Sequence, residues 1–443
     1  MKSNILLIVI DSLRSDKCFG KDKTSLTPHI DSLIKNGIYF TQAISSSDGT
    51  YTSLGSLFTG QYPFNNNIDW FHNHSKAAKL FDFLAENDYH TYATVPNQQF
   101  FYTLTTKFSD KIITVGDPYL RLFEGAGDKA LSVLDSTNLK EPWIYYIHIM
   151  DLHVNNPVPN DFADAKYGND EYDQRISSID PWIGKIIEKI DLKNTLVVLT
   201  SDHGEYVHDL ALDTEHVPTL QRNLRKMKQF SPKLLFPLGL SLFVMIRWMI
   251  KQTRSLKLKF VLNETEKRTL IQRSTDYLYD EAIRIPLLFS GYGIGKPQII
   301  NDQVRQIDIV PTILDMSGLP AIKNSIDGRS LIQLIHGNKL EESPTCIETA
   351  SSLKKKFGNI VGIRTPKYKY YRSRSDPKKN MTLFDLENDP FEKTNIANLH
   401  PEITCNMEKL LNDHRTKTQD LGYDIIDEDS DKIRGELKKL GYI

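Results

Sequence analysis

Residues 195–205 read TLVVLTSDHGE: a short apolar run, then Ser201-Asp202-His203-Gly204-Glu205. Thr195–Thr200 has the length and β-branched content of a strand buried on both faces, the kind found in parallel sheets. A carboxylate and an imidazole delivered together past the end of such a strand can hold one cation from neighbouring directions. Gly204 lets the backbone turn sharply at that point. Asp-His-Gly alone reads equally well as a loop that satisfies its own polar groups, so its weight depends on what the rest of the chain brings to the same edge.

Working outward, Ile5–Ile10 is a second continuous apolar run, and it ends in Asp11. Trp143–Ile149 is a third, followed by Asp151 and His153. Thr91–Val95 and Ile285–Phe289 also read as strands. Between them lie helical patterns. Thr27-Pro28 opens one, with Thr as N-cap and Pro at the first helical position, and Gly37 stops it. Ala77–Glu86, Tyr172–Ile190 and Ile309–Met316, closed by Gly318, are the others. Alternating strands and helices predict an α/β fold: a mixed, mostly parallel sheet with helices on both faces. Chemistry in such sheets gathers at the carboxyl ends of strands, which puts Asp11, Asp151 with His153, and Asp202 with His203 on one edge. Asp11 by itself could equally cap the next element.

From about Pro344 short strand-like pieces follow (Ile360–Arg364, Tyr368–Arg372 and Thr382–Leu386), then a helical stretch, Pro401–Asp413. These predict a catalytic domain over 1–343 and a smaller C-terminal α+β subdomain over 344–443.

Gly49–Gly60 reads GTYTSLGSLFTG, a loop entering a helix at about Thr50. A hydroxyl at a helix N-terminus sits where backbone N–H groups favour anions, and a metal beside it can stabilise its alkoxide. The plain alternative is that Thr50 is only the cap.

Composition bounds the rest. Three cysteines (Cys18, Cys346 and Cys405) form no CxxC pair, which argues against a disulfide framework or a thiolate zinc site and for a reducing compartment. The N-terminal apolar run is short and ends in a carboxylate, unlike an export signal, so the expected location is the cytoplasm. Nothing resembles a nucleic-acid-binding module.

Taken in order, the motifs resemble the sulfatase branch of the alkaline-phosphatase superfamily. They are NILLIVIDSLRSD, TPHIDSLIKNGIYFTQAISSS, SLFTGQYP, YYIHIMDLHVNNP, NTLVVLTSDHGE, LYDEAIRIPLLFSG and QIDIVPTILDMSGLP, with YKYYRS and LFDLENDPFEKTN closing the series. The resemblance implies an alkaline-phosphatase-like fold, with Asp11, Asp202 and His203 as metal ligands. It makes Thr50, counted back from Thr59-Gly60, the nucleophile and a fourth ligand. His153 becomes a catalytic and substrate contact, Asp151 lies on the substrate side, and Arg14 binds anion or braces its loop.

Two departures shape the expected reaction. Sulfate-ester hydrolases of this family place Cys or Ser in a CxPSR-type context for conversion to formylglycine, whereas this stretch reads Thr50-Tyr51-Thr52-Ser53-Leu54. Relatives with Thr there include phosphodiesterases, phosphonate hydrolases, nucleotide pyrophosphatases and lipoteichoic-acid-synthase-like phosphotransferases. Ser12 stands where many sulfatases have a second Asp. A sparser site follows, for one divalent cation, with Mn²⁺ or Zn²⁺ favoured over Ca²⁺ or Mg²⁺. His148, His208 and His216 are candidates for a second site without forming a clear set. The expected function is a metal-dependent hydrolase or transferase of phosphate or phosphonate esters, on a lipid-linked or surface-polymer substrate. A sulfatase working without formylglycine and a non-catalytic binding member are the alternatives.

The family pattern breaks over about 214–273. Ten basic residues and no acidic one lie between Thr219 and Lys259, leaving −11 for the remainder of a chain whose net charge is −1. Leu234–Ile250 is apolar except for Ser241 and Arg247. Its 17 residues fall short of the roughly 20 that a span needs. The basic flanks, with Leu242, Phe243, Arg247 and Trp248, fit a segment lying in a membrane interface at the inner face; the alternative is a hairpin packed on the domain. The sequence does not fix the oligomeric state.

Overall fold

The structure is a computed structural model that describes residues 2–68, 80–104, 111–115, 121–135, 139–153, 156–206, 277–322, 326–350 and 359–416. Met1–Glu205 and Arg273–Ile443 form one compact unit, and Tyr206–Gln272 is set apart as a second, nearly the span of the expected insertion. Leu242, Phe243, Arg247 and Trp248, with His208 and His216, lie outside the described residues. No helix among the described residues is long and apolar enough to cross a membrane.

The main sheet has eight strands: β1 (Asn4–Ile10), β2 (Ile38–Ile44), β3 (His90–Pro96), β4 (Lys111–Val115), β5 (Trp143–Ile149), β6 (Thr195–Thr200), β7 (Arg284–Gly291) and β8 (Gln298–Arg305). Their order is β4-β3-β5-β1-β6-β7-β2-β8. All neighbouring pairs are parallel except those of β7, which runs antiparallel to both β6 and β2. The sheet is therefore mixed and mostly parallel, as the alternation of elements predicts. Every residue of β1, β5 and β6 is buried, which requires cover on both faces. The main core packs here, with Leu7, Val9, Tyr146 and Val198 from the strands meeting Leu54, Leu57 and Phe58 from the helix Thr50–Thr59.

The helix Pro28–Asn36 begins at Thr27-Pro28 and stops at Gly37, as read from the sequence. A Cβ at Gly37 would lie 2.5 Å from the Phe289 carbonyl of β7, so close packing as well as helix termination fixes glycine there. Tyr172–Ile190 appears as Glu171–Glu188, capped by Asp170, whose carboxylate accepts from the Asp173 N–H.

A separate antiparallel sheet, order β12-β11-β10-β9, is built from Thr345–Glu348 (β9), Ile360–Arg364 (β10), Tyr368–Ser373 (β11) and Thr382–Asp385 (β12). The helix Pro401–Thr416 packs on it through Met407 and Leu411. Buried charge ties this sheet to the segment preceding β7. Lys369, wholly buried, pairs with Glu392 and, at 3.0 Å, with Asp280, and Arg364 grips Asp280 through two nitrogens at 3.1 and 2.7 Å. Charges in so dry a place persist only when paired this closely.

Candidate metal centre and nucleophile

Three adjacent parallel strands deliver the site. β5, β1 and β6 lie side by side, and the chain leaves β1 at Asp11 and β6 at Ser201-Asp202-His203. The Asp11 N–H still pairs with the Ile149 carbonyl at 2.9 Å, so the carboxylate is held at the sheet's rim rather than on a free loop. Thr50 arrives from β2, a fourth strand end on the same edge. Gly49 is the N-cap in extended conformation, and Thr50 is the first residue of the helix Thr50–Thr59. A side chain at Gly49 would strike Ala350, its Cβ only 2.5 Å from the Ala350 Cβ. The Ser45 hydroxyl donates to the Asp202 carbonyl at 2.8 Å and lies 3.1 Å from Ser53 Oγ, tying the nucleophile turn to the loop after β6.

Asp11, Asp202 and His203 are fully buried, and each offers one ligand atom within 4.8 Å of the others. Thr50 Oγ1 stands 3.2 Å from Asp11 Oδ2 and 3.1 Å from His203 Nε2. The four residues that the sequence put at the reacting centre are thus together.

Protonation follows from the neighbours. His203 Nδ1 is 2.7 Å from the Gly204 carbonyl, which can only accept, so Nδ1 carries the proton and Nε2 presents its lone pair to the site. Asp202 Oδ1 accepts from the N–H groups of Ser12 (3.1 Å) and His203 (2.8 Å). Its Oδ2 is buried with no hydrogen-bond partner. A stranded carboxylate oxygen costs about 1–3 kcal/mol or more, and a cation on that side would remove the cost. Burial, then the charge of Asp11, pushes Asp202 up to about 7. Burial acts the same way on Asp11 but is outweighed by the nearby His148 imidazole and the charges of His153 and His203, which hold it well below the usual range. A cation bound between Asp11 and Asp202 would favour the ionised form of both carboxylates. The donor set (two carboxylates, one imidazole nitrogen and one hydroxyl) fits a divalent cation. It is the one such cluster among the described residues.

Ser12, read from the sequence as a missing ligand, is a brace. Its φ is 65°, in the left-handed region. There its hydroxyl donates to Asp11 Oδ1 at 2.6 Å, its N–H to Asp202, and its carbonyl accepts from Tyr172 Oη at 2.6 Å. Arg14 is engaged by its own loop, with Nε and Nη2 at 2.9 and 2.7 Å from the Asp16 oxygens, which favours bracing over anion binding. Asp151 turns both oxygens toward the Leu122 N–H at 3.2 Å, and burial raises its carboxyl to about 7. No contact brings Asp151 to Thr50. His153 is half-buried beyond β5, close enough for its charge to lower Asp11. His148, considered only for a second metal, lies 3.6 Å from Asp11 Oδ2 through Nε2. It stands in register opposite Val9, two residues before Asp11 on the same face.

Residues 3–319 match the family model "Sulfatase", and residues 273–417 match "N-sulphoglucosamine sulphohydrolase, C-terminal". The chain is 23% identical to arylsulfatase K of Gallus gallus over 448 aligned residues, which cover 93% of this chain and 82% of that protein. It is 34% identical to choline-sulfatase of Rhizobium meliloti over 121 residues, or 27% of this chain and 22% of that one. Among solved structures it is similar to a 2-O GAG sulfatase, with TM-score 0.63, 17% identity, and coverage of 96% of this chain and 95% of the other. It is equally similar to the phosphonate monoester hydrolase of Silicibacter pomeroyi, with TM-score 0.63, 16% identity, and coverage of 95% and 96%.

Proposed function

The chain belongs to the sulfatase family of the alkaline-phosphatase superfamily, and on that premise we propose that it hydrolyses or transfers phosphate or phosphonate esters with the Thr50 hydroxyl as nucleophile. The observation that carries this reading is Thr50 Oγ1 held between Asp11 Oδ2 and His203 Nε2 at the first position of its helix.

The hydroxyl has one proton and two acceptors beside it, so its rotamer is fixed with the oxygen at the site rather than in solvent. The chemistry a divalent cation supplies there is Lewis acidity, which polarises an ester oxygen and lowers the pKa of an adjacent hydroxyl. Asp11, Asp202 and His203 would hold it. Thr50 gives up its hydroxyl proton to solvent as Oγ1 attacks phosphorus, the Oγ1–P bond forms, and the P–O bond to the alcohol breaks. His153, half-buried at the end of β5, is assigned to the ester oxygens or to protonating the departing alkoxide. Water or an acceptor hydroxyl then attacks phosphorus, breaks the Oγ1–P bond and restores Thr50. N–H groups in the first turn of the helix favour the anionic group being transferred.

The named sulfatases among the relatives favour a second reading, sulfate-ester hydrolysis. It is chemically harder here, because oxidising a Thr side chain cannot give an aldehyde. Assays with added Mn²⁺ or Zn²⁺ on nitrophenyl phosphate, bis-nitrophenyl phosphate, a phenylphosphonate ester and nitrophenyl sulfate separate the two. Thr50→Ala should lower turnover at least about a thousandfold on whatever the wild type cleaves. Undiminished turnover in that variant overturns Thr50 as nucleophile. Cleavage of the sulfate ester alone moves the protein to the second reading, and no cleavage of any ester points to a binding role.

A further inference from the structure

Asp11 is approached from β5 by two polar side chains that the reaction scheme leaves unused. Tyr146 and His148 alternate along β5 and so share a face. They pair in register with Leu7 and Val9 of β1, the face that continues to Asp11. The Tyr146 ring is boxed by Phe58 and Phe81, with centroids 5.2 and 5.6 Å away, and its hydroxyl meets His148 Nδ1 at 2.8 Å. A phenol has one proton, and in this apolar box the acceptor beside it is that ring nitrogen. The economical arrangement has Tyr146 donating and Nδ1 accepting, since the reverse strands a buried O–H. The proton of the neutral imidazole then sits on Nε2. That nitrogen is buried, has no hydrogen-bond partner at ordinary distance, and faces Asp11 Oδ2 at 3.6 Å.

We propose that Tyr146 and His148 form a positioning relay for Asp11: Tyr146 fixes the His148 tautomer, and the Nε2–H steadies the Asp11 carboxylate from the β5 side while Ser12 and Thr50 hold it from the others. His148 acts through Asp11 and is not itself a ligand. The inference rests on the reading of Asp11 as a cation ligand. It does not depend on which ester is cleaved. Partners of this kind, one step out from the ligands, typically govern about 10–100-fold in metal affinity.

The test is Mn²⁺ affinity of the full chain without substrate, by competition against a fluorescent chelator. His148→Phe should weaken binding about 10–100-fold. His148→Gln, whose amide N–H can donate to Asp11, should recover most of that loss. Tyr146→Phe keeps the ring packing and should weaken binding in the same direction by less, which covers the case in which His148→Phe does not fold. In ¹⁵N-histidine spectra of the metal-free protein, His148 should carry its proton on Nε2. Unchanged affinity in folded His148→Phe overturns the relay, and so does a proton on Nδ1. Pulsed EPR of the Mn²⁺ form showing two bound nitrogens, one of them lost in His148→Phe, would make His148 a ligand and overturn it as well. If Thr50→Ala leaves turnover intact while these affinities fall as stated, the catalytic reading fails and the relay stands.

Discussion

Asp151 places a carboxyl group in the interior of the fold. It lies just past β5, where the strand pattern put it, yet burial raises its carboxyl to about 7 and both oxygens face one backbone N–H. A folded-state value above the unfolded one means that the native protein holds a proton the unfolded chain has released. Stability from this group therefore falls as pH rises from about 4 to about 7. Asp151→Asn keeps an acceptor for Leu122 and removes the titration. Its melting temperature should gain on the wild type through that window and stay ahead at pH 8, and parallel melting curves would show that Asp151 ionises normally. Asp11, Thr50, Asp202 and His203 were legible because each ends or begins an element with a strong pattern. Ser12 and His148 were not, because their roles depend on a left-handed turn and on a neighbouring strand's register, neither of which composition encodes.

Elements were legible in proportion to how completely they are buried. β1, β5 and β6, apolar at nearly every position, fall where the sequence put them. β2 and β8 were missed because their partly exposed patterns interrupt the apolar run. The direction of β7 could not be read, since its connection to β6 passes through the long insertion. The turn after β6 carries the sharpest constraint at this scale. A Cβ on Gly204 would sit 2.1 Å from the Glu281 carbonyl, and the Gly204 N–H bonds the Ala282 carbonyl at 2.8 Å. Gly204→Ala must push the Asp202-His203 loop away from the segment before β7. Destabilisation of about 1–3 kcal/mol is expected, together with weaker Mn²⁺ binding and a lower melting temperature. A variant that melts and binds Mn²⁺ like the wild type would show that the loop moves aside freely.

At the scale of the whole molecule, Met1–Glu205 and Arg273–Ile443 form one compact unit that does not include Tyr206–Gln272. A chain lacking residues 219–259 should therefore keep the Mn²⁺ affinity of the intact protein. The same deletion removes ten cationic side chains and the apolar run between them. Sedimentation with anionic vesicles should fall with it, as expected of a segment whose basic flanks meet lipid. Equal sedimentation of the two chains rejects the membrane reading and favours the packed hairpin. One consequence of the strand order β5-β1-β6 concerns timing. The first strand waits for partners that begin at Trp143 and Thr195, so during synthesis Asp11 and Thr50 leave the ribosome long before the residues that complete their site. An ion meeting the nascent chain finds only separate side chains. The ligand set is complete only once β1 has paired with β6, which would make ion capture a chemical signature of that long-range pairing.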